Sequence, residues 1–242
     1  MLRQAIDSIV CAVYPQQCFV CRCVVGSRQD GVACNRCWSE TRIFDGSEDL
    51  CWRCGAMQDR TIGETASCPN CHDAYYDRAV AAGVYEKALA ATIVDLKKQP
   101  TLSNKATLLI RDLVSRVDSG DTAILIPVPL SRLRKFERGY NQAEIIASVY
   151  SQYSRAKVVT GCLVRSKQTP MHRVAMDKRA RELTVEKAFT VRSPRLIEGK
   201  EVILVDDVLT SGSTASACAR VLKKNGAAMV TVVTLARAVM HF

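Results

Sequence analysis

The sequence predicts an α/β protein, built as a mainly parallel sheet with helices on both faces and preceded by a small cysteine-rich unit. Three observations lead there. Four CxxC pairs lie at nearly even spacing before residue 72. Beyond residue 75, apolar strand-like runs alternate with amphipathic helical segments, the pattern of a parallel sheet. In the last such unit, Glu201 to Gly226 (EVILVDDVLTSGSTASACARVLKKNG), an apolar run Val202 to Val205 is closed by two carboxylates, then a Ser/Gly/Thr loop, then an alanine-rich amphipathic segment. The expected units are 1–74 and 75–242.

Composition bounds the classes open to the chain. Its 242 residues, 48% hydrophobic and 24% charged, suit a soluble globular protein with one sizeable domain and one small one. No apolar run approaches the roughly 20 residues needed to span a bilayer, so membrane insertion is not expected and the cytoplasm is the default. Residues 2–13 read as a short amphipathic helix; Asp7 interrupts the apolar stretch that a signal peptide would need. Charge is uneven: residues 1–80 hold 8 Lys/Arg against 10 Asp/Glu, and residues 81–242 hold 26 against 14. A basic C-terminal part fits an anionic partner, either a polyphosphorylated small molecule or nucleic acid.

The CxxC pairs are Cys18/Cys21, Cys34/Cys37, Cys51/Cys54 and Cys68/Cys71, separated by 12, 13 and 13 residues. Without a secretory signal this is metal-ligand spacing rather than a disulfide framework. Each CxxC turn offers two thiolates to one tetrahedral ion, and two turns close a site of four sulfurs with no position open for catalysis. Two structural zinc ions are therefore expected, as in a double zinc ribbon, and metal binding supplies the folding energy that so few apolar residues cannot. Sequential grouping puts Cys18, Cys21, Cys34 and Cys37 at one ion and Cys51, Cys54, Cys68 and Cys71 at the other. A crossed grouping of first with third and second with fourth pair is the alternative. Cys11, Cys23, Cys162 and Cys218 fall outside this pattern.

The remaining elements follow from periodicity and punctuation. Tyr76 to Tyr85 leads into a strand. Glu86 to Lys98 is a helix stopped near Pro100, and Thr101 to Val117 a second helix with Ser103 as N-cap. Ala123 to Pro127 is a buried strand whose exit, IPVPL, is held extended by two prolines. Arg132, Arg134, Lys135 and Arg138 place four cations in the seven residues after that exit. A run of this kind is either a solvated face or an anion contact. A helix, Gln142 to Tyr153, then a strand, Lys157 to Val164, lead into a basic stretch, and Met229 to Ala236 is the final strand with Arg237 at its end.

The stretch at Glu201 carries the most specific chemistry. Thr210, Ser211, Gly212, Ser213 and Thr214 are small enough for backbone N–H groups to approach a phosphate, and the helix beginning at Ser213 or Thr214 aims its positive dipole end there. Asp206 and Asp207 at the strand's carboxyl end suit ribose hydroxyls better than phosphate. The bland alternative is a strand–turn–helix with an acidic pair that merely caps the helix.

This string resembles the motif of type I phosphoribosyltransferases that binds 5-phosphoribosyl 1-diphosphate (PRPP). With IPVPLSRLRKFERGYNQAE, the Leu96-Lys97 pair, RSKQTPMHRVAMDKRARELTVEKAF, the LAR ending at Arg237 and the CxxC pairs, nearly the whole chain resembles the ComF (ComFC/GntX-like) family. The resemblance implies a type I phosphoribosyltransferase-like sheet and PRPP binding through Val208, Leu209 and Thr210 to Thr214, with Asp206 and Asp207 as catalytic acids on the ribose. It further implies diphosphate contacts from Arg132, Arg134, Arg138 and Arg165, Mg²⁺ bridging the ligand, and a flap closing over the site. Arg165, Thr169, Arg181, Ala188 and Phe189 fit the flap pattern, whereas His172 and Thr184 stand where the family carries Gln and Asn. The family's association with competence adds a second expectation, a non-catalytic factor that binds or processes single-stranded DNA alongside competence proteins.

Overall fold

The computed structural model describes residues 10–11, 13–58, 68, 71, 73–117, 119–165 and 188–239. The expected flap, with Thr169, His172, Arg181 and Thr184, lies outside these residues, as do His72, His241 and most of the expected N-terminal helix.

Five parallel strands form the sheet in the order β1-β7-β6-β2-β3. They are β1 (Arg78–Val84), β2 (Ile124–Pro127), β3 (Lys157–Val158), β6 (Glu201–Leu209) and β7 (Met229–Arg237). A separate antiparallel pair, β4 (Leu163–Arg165) with β5 (Phe189–Val191), forms a small hood. The helices are α1 (Asn35–Ser39), α2 (Lys87–Leu96), α3 (Asn104–Arg116), α4 (Arg132–Arg138), α5 (Gln142–Ser151) and α6 (Ser213–Lys224). Ser103 caps α3 by accepting the Ala106 N–H at 3.3 Å.

Strand alternation sends successive side chains of β6 to opposite faces, and each face has its own core. Ile203 and Val205 pack with α2, α3 and α5 through Leu89, Ile93, Ile110, Leu113 and Ile146. Val202 and Leu204 pack with α6 and the hood through Ala215, Cys218, Leu222, Leu163 and Phe189. The ribbons divide the same way. Cys18, Cys34, Cys37 and Trp38 join the first cluster, whereas Cys51, Cys54 and Cys71 join the second. The chain passes between the faces along the outer edge of β1, where Ile43 bridges Gly83 antiparallel and the Phe44 N–H donates to Ala82 O at 2.9 Å. This covers an edge that would otherwise present unpaired backbone groups. Only glycine fits at 83, because an added Cβ would collide with the Arg42 carbonyl.

Three local expectations need correction. β6 does not end at Val205 but runs through the acidic pair to Leu209, paired to β7 as far as Arg237. The expected strand 157–164 is broken after Val158 by a turn holding Gly161 at φ 74°. Its second half leaves the main sheet for the hood. Residues 132–138, read as a charged exit segment, are helical, begun by Ser131 Oγ accepting the Arg134 N–H (3.3 Å) and ended by left-handed Gly139.

Candidate functional site

The acidic pair lies within β6 at the carboxyl edge of the sheet, and alternation separates the two side chains. Asp207, 7% exposed, enters the face of α2 and α5. Its Oδ2 lies 2.9 Å from Lys97 Nζ at the end of α2 and accepts from Gln142 Nε2 (3.3 Å), the first residue of α5. Oδ1 accepts the Val208 N–H at 2.8 Å. Arg138 in turn donates to Gln142 Oε1. A polar chain Arg138–Gln142–Asp207–Lys97 thus joins four elements. Gln142 is fixed there because its neighbour Asn141 caps α5 and donates Nδ2 to Val128 O (3.0 Å), tying the helix to the proline exit.

Asp206 is set by alternation on the opposite face, beside Cys218, and its Oδ1 accepts the Asp207 N–H at 2.9 Å. Burial, followed by the charge of Asp207, pushes its carboxyl well above the usual range. Cys218 on α6 feels the charge of Asp206, which raises its thiol further after burial, while Arg165 on β4 opposes the rise. The adjacent acids therefore differ in kind: Asp207 is paired with a cation, and Asp206 is held toward its neutral form.

The loop follows directly. Val208 is half-buried against the first core, and Leu209 is buried. Thr210, Ser211 and Ser213 are exposed and Thr214 half-buried. Gly212 is the N-cap of α6 at φ 75° and has no side chain to cap it, while Ser211 Oγ accepts the Ser213 N–H at 3.4 Å. Ser211 and Ser213 hydroxyls lie 3.1 Å apart across the loop mouth. Exposed hydroxyls over the start of a 12-residue helix are a ready anion site. Arg237, expected at the end of the last strand, is 4% exposed. Its guanidinium donates to the carbonyls of Leu209 (2.8 Å) and Thr210, bracing the loop from behind.

The arginines divide. Arg138 joins the polar chain, whereas Arg132, Arg134 and Lys135 are exposed on α4, a helix with no buried residue. Phe136 stands among them at 88% exposure. Arg165 lies over the Phe189 ring at 5.5 Å, on the side of Asp206.

The cysteines form two clusters, Cys18/Cys21/Cys34/Cys37 and Cys51/Cys54/Cys68/Cys71, each with all four sulfurs within 4.8 Å of one another. Sequential grouping holds and the crossed one is excluded. Sulfur–sulfur distances are 3.6 Å for Cys21–Cys34 and 3.7 Å for Cys18–Cys37, Cys51–Cys71 and Cys54–Cys68. A tetrahedron with ~2.3 Å zinc–sulfur bonds has edges of about 3.8 Å, so both clusters fit structural zinc. The Val20 and Cys34 N–H groups donate to Cys18 Sγ at 3.4 and 3.3 Å, an arrangement that favours a thiolate.

Sequence reasoning does not single out Gln142 or Tyr76, and marks Lys97 only through the Leu96-Lys97 pair. Gln142 stood inside the RGYNQAE run, but nothing local says that a helix's first glutamine reaches a strand 65 residues on. Tyr76 carried no signal beyond its place after the last cysteine pair.

Comparison with known proteins agrees with this layout. The family described as phosphoribosyl transferase domain matches residues 109–239, and the double zinc ribbon domain matches residues 9–72. The chain is 28% identical over 229 residues to Competence protein F of Haemophilus influenzae, covering 92% of this chain and 97% of that protein. It is 26% identical over 229 residues to the DNA utilization protein YhgH of Escherichia coli, with the same coverage of each. It is 33% identical over 119 residues to Competence protein ComFC of Bacillus subtilis, covering 47% of this chain and 44% of that protein.

Proposed function

Because this chain belongs to the phosphoribosyl transferase domain family, joined here to a double zinc ribbon, we propose that it binds PRPP at the carboxyl edge of β6 and holds or transfers its phosphoribosyl group. The observation that carries the reading is the acidic pair leading, within one strand and loop, to the start of α6. Thr210 to Thr214 would hold the 5′-phosphate by backbone N–H groups, hydroxyls and the helix dipole. Asp207, paired with Lys97, would accept from a ribose hydroxyl, and Asp206 would take the second hydroxyl from the other face. Arg132, Arg134, Arg138 and Arg165 would surround the diphosphate. Mg²⁺ arriving with PRPP beside Asp206 and Asp207 would supply countercharge for the diphosphate. The residues themselves act by positioning and electrostatics.

Calorimetric titration of PRPP with Mg²⁺ tests this. Binding at one site per chain is expected, weakened about tenfold or more in Asp207→Asn and in Asp206→Asn. No binding to the zinc-loaded protein would overturn the reading.

A second reading has its own support. Phe136, fully presented among Arg132, Arg134 and Lys135, offers a stacking face within a cationic stripe, as single-stranded DNA requires. The names of the relatives point to competence and DNA utilization. In that case the protein acts in DNA uptake with competence proteins as partners, and fluorescence anisotropy should show salt-dependent binding of single-stranded DNA that Phe136→Ala weakens. Among the described residues no helix is long and apolar enough to cross a membrane.

A further inference from the structure

The short segment between Cys71 and β1 is fastened to the loop and to α6 at several points. The Tyr75 N–H donates to Ser216 Oγ (3.1 Å), and that hydroxyl lies 3.4 Å from Asp73 O. The Arg220 guanidinium sits 5.1 Å over the Tyr75 ring, and Lys223 Nζ pairs with Asp77 at 2.7 Å. Beneath the loop, the Tyr76 ring is buried against Gly212, where an added Cβ would stand 3.0 Å from the phenolic oxygen. The same segment is gripped from the ribbon side. Arg53, inside the Cys51–Cys54 turn, donates to Tyr76 O (3.3 Å) and Ala74 O. Cys51, Cys54 and Cys71 share an apolar cluster with Ala215, Cys218 and Ala219 of α6.

The first ribbon is tied elsewhere. Thr41 Oγ1 accepts the Ala88 N–H (3.2 Å), Lys87 pairs with Glu40 (3.0 Å) and Lys105 lies over Trp38 at 5.6 Å. None of these reaches the loop.

We infer that the second ribbon is the platform that sets the geometry of the Thr210–Thr214 loop, with Tyr76 and Arg53 as its positioning residues. The mechanical coupling stands on the contacts above. Its consequence for ligand binding rests on the reading of the loop as a phosphate site. A ring wedged under a left-handed glycine fixes the loop's height, and the Cys51–Cys54 turn fixes the ring through its backbone carbonyl. The loop is therefore built from both sides, by Arg237 on its entry and by the metal-set ribbon on its floor.

Hydrogen exchange of the ligand-free, metal-loaded full chain tests the coupling, with metal content from native mass spectrometry and ribose 5-phosphate affinity measured alongside. Tyr76→Ala and Arg53→Met are expected to keep two metal ions per chain and to exchange amides 210–216 about tenfold faster, with amides 88–96 unchanged. Tyr76→Phe, which keeps the ring, should stay within about twofold of the parent, and ribose 5-phosphate affinity should fall about tenfold in Tyr76→Ala and recover in Tyr76→Phe. The coupling is overturned by parental loop exchange in Tyr76→Ala and Arg53→Met, or by acceleration spread equally over 88–96. Fast loop exchange in a protein whose parent binds no ribose 5-phosphate would sustain the coupling and remove the phosphate reading instead.

Discussion

The two faces of the sheet are built from matching parts that do different work. Each carries a four-cysteine ribbon and one aspartate of the pair. On the first face, the ribbon packs against α2 and α3, and Asp207 is paired with Lys97 and Gln142. On the second, the ribbon lies under the loop and α6, and Asp206 is half-buried with its carboxyl pushed up. Nearly identical cysteine spacing thus yields one ribbon that supports helices and another that reaches the candidate site. What distinguishes them is the chain that follows each, covering an edge strand in one case and running beneath Gly212 in the other.

The two faces should separate most clearly when one metal site is removed. Cys18→Ser and Cys54→Ser should each lose one of two metal ions by native mass spectrometry, with the broken ribbon losing most of the roughly 10–16 kcal/mol that structural zinc contributes. Hydrogen exchange should rise in 88–96 and 106–113 for Cys18→Ser and in 213–222 for Cys54→Ser. Equal loosening of both faces by either variant would show that the ribbons are not face-specific.

A smaller effect is expected at the polar pair of the first face. Lys97→Met removes the cation from a carboxylate that stays buried and should cost about 2 kcal/mol in urea unfolding. Adding Asp207→Asn should recover most of that loss, because the uncompensated charge disappears with it. An additive double variant would mean that the 2.9 Å pairing has no energetic weight.

On the second face, Gly212→Ala forces a Cβ into a left-handed residue already in contact with Tyr76, which should cost about 1–2 kcal/mol. A thermal shift indistinguishable from the parent would contradict the wedge.

The smallest effect concerns Asp206 and has an inverted sign. Its folded carboxyl is raised, by burial first and then by Asp207. The stability linked to it is therefore present at pH below the ordinary aspartate value near 4 and declines as pH rises through the folded value. Asp206→Asn should melt a few degrees higher than the parent at pH 7.5, and this advantage should vanish by about pH 4. Lower melting at pH 7.5 would mean that the charged form is well held.

Much of this arrangement is legible in the residues. The CxxC arithmetic identifies the ribbons, and the alternation of apolar runs and helices identifies the sheet. The pairing of ribbons is not legible, since even spacing allows two groupings and only the fold between them selects one. Val208 and Leu209 fall beyond the expected strand because acids interrupt the apolar run, yet ladder pairing with β7 carries the strand to Leu209. Helix α4 left no signature because it buries nothing and so has no apolar period. Arg237 was placed correctly at its strand end, but direction cannot be read from a position, and it turns back on the loop's carbonyls. Opposite fates for adjacent aspartates follow from strand alternation only once the strand is known to include them.

On the proposed reading, the acids on the two faces and the loop between them form one phosphoribosyl site. The most direct measurement compares ribose 5-phosphate with 2-deoxyribose 5-phosphate by calorimetry on the metal-loaded chain. Both should bind through the phosphate, the ribose form about tenfold tighter, with that preference lost in Asp207→Asn while deoxyribose binding is unchanged. Equal affinity of the two sugars for the parent protein, or a preference that survives Asp207→Asn, would contradict it.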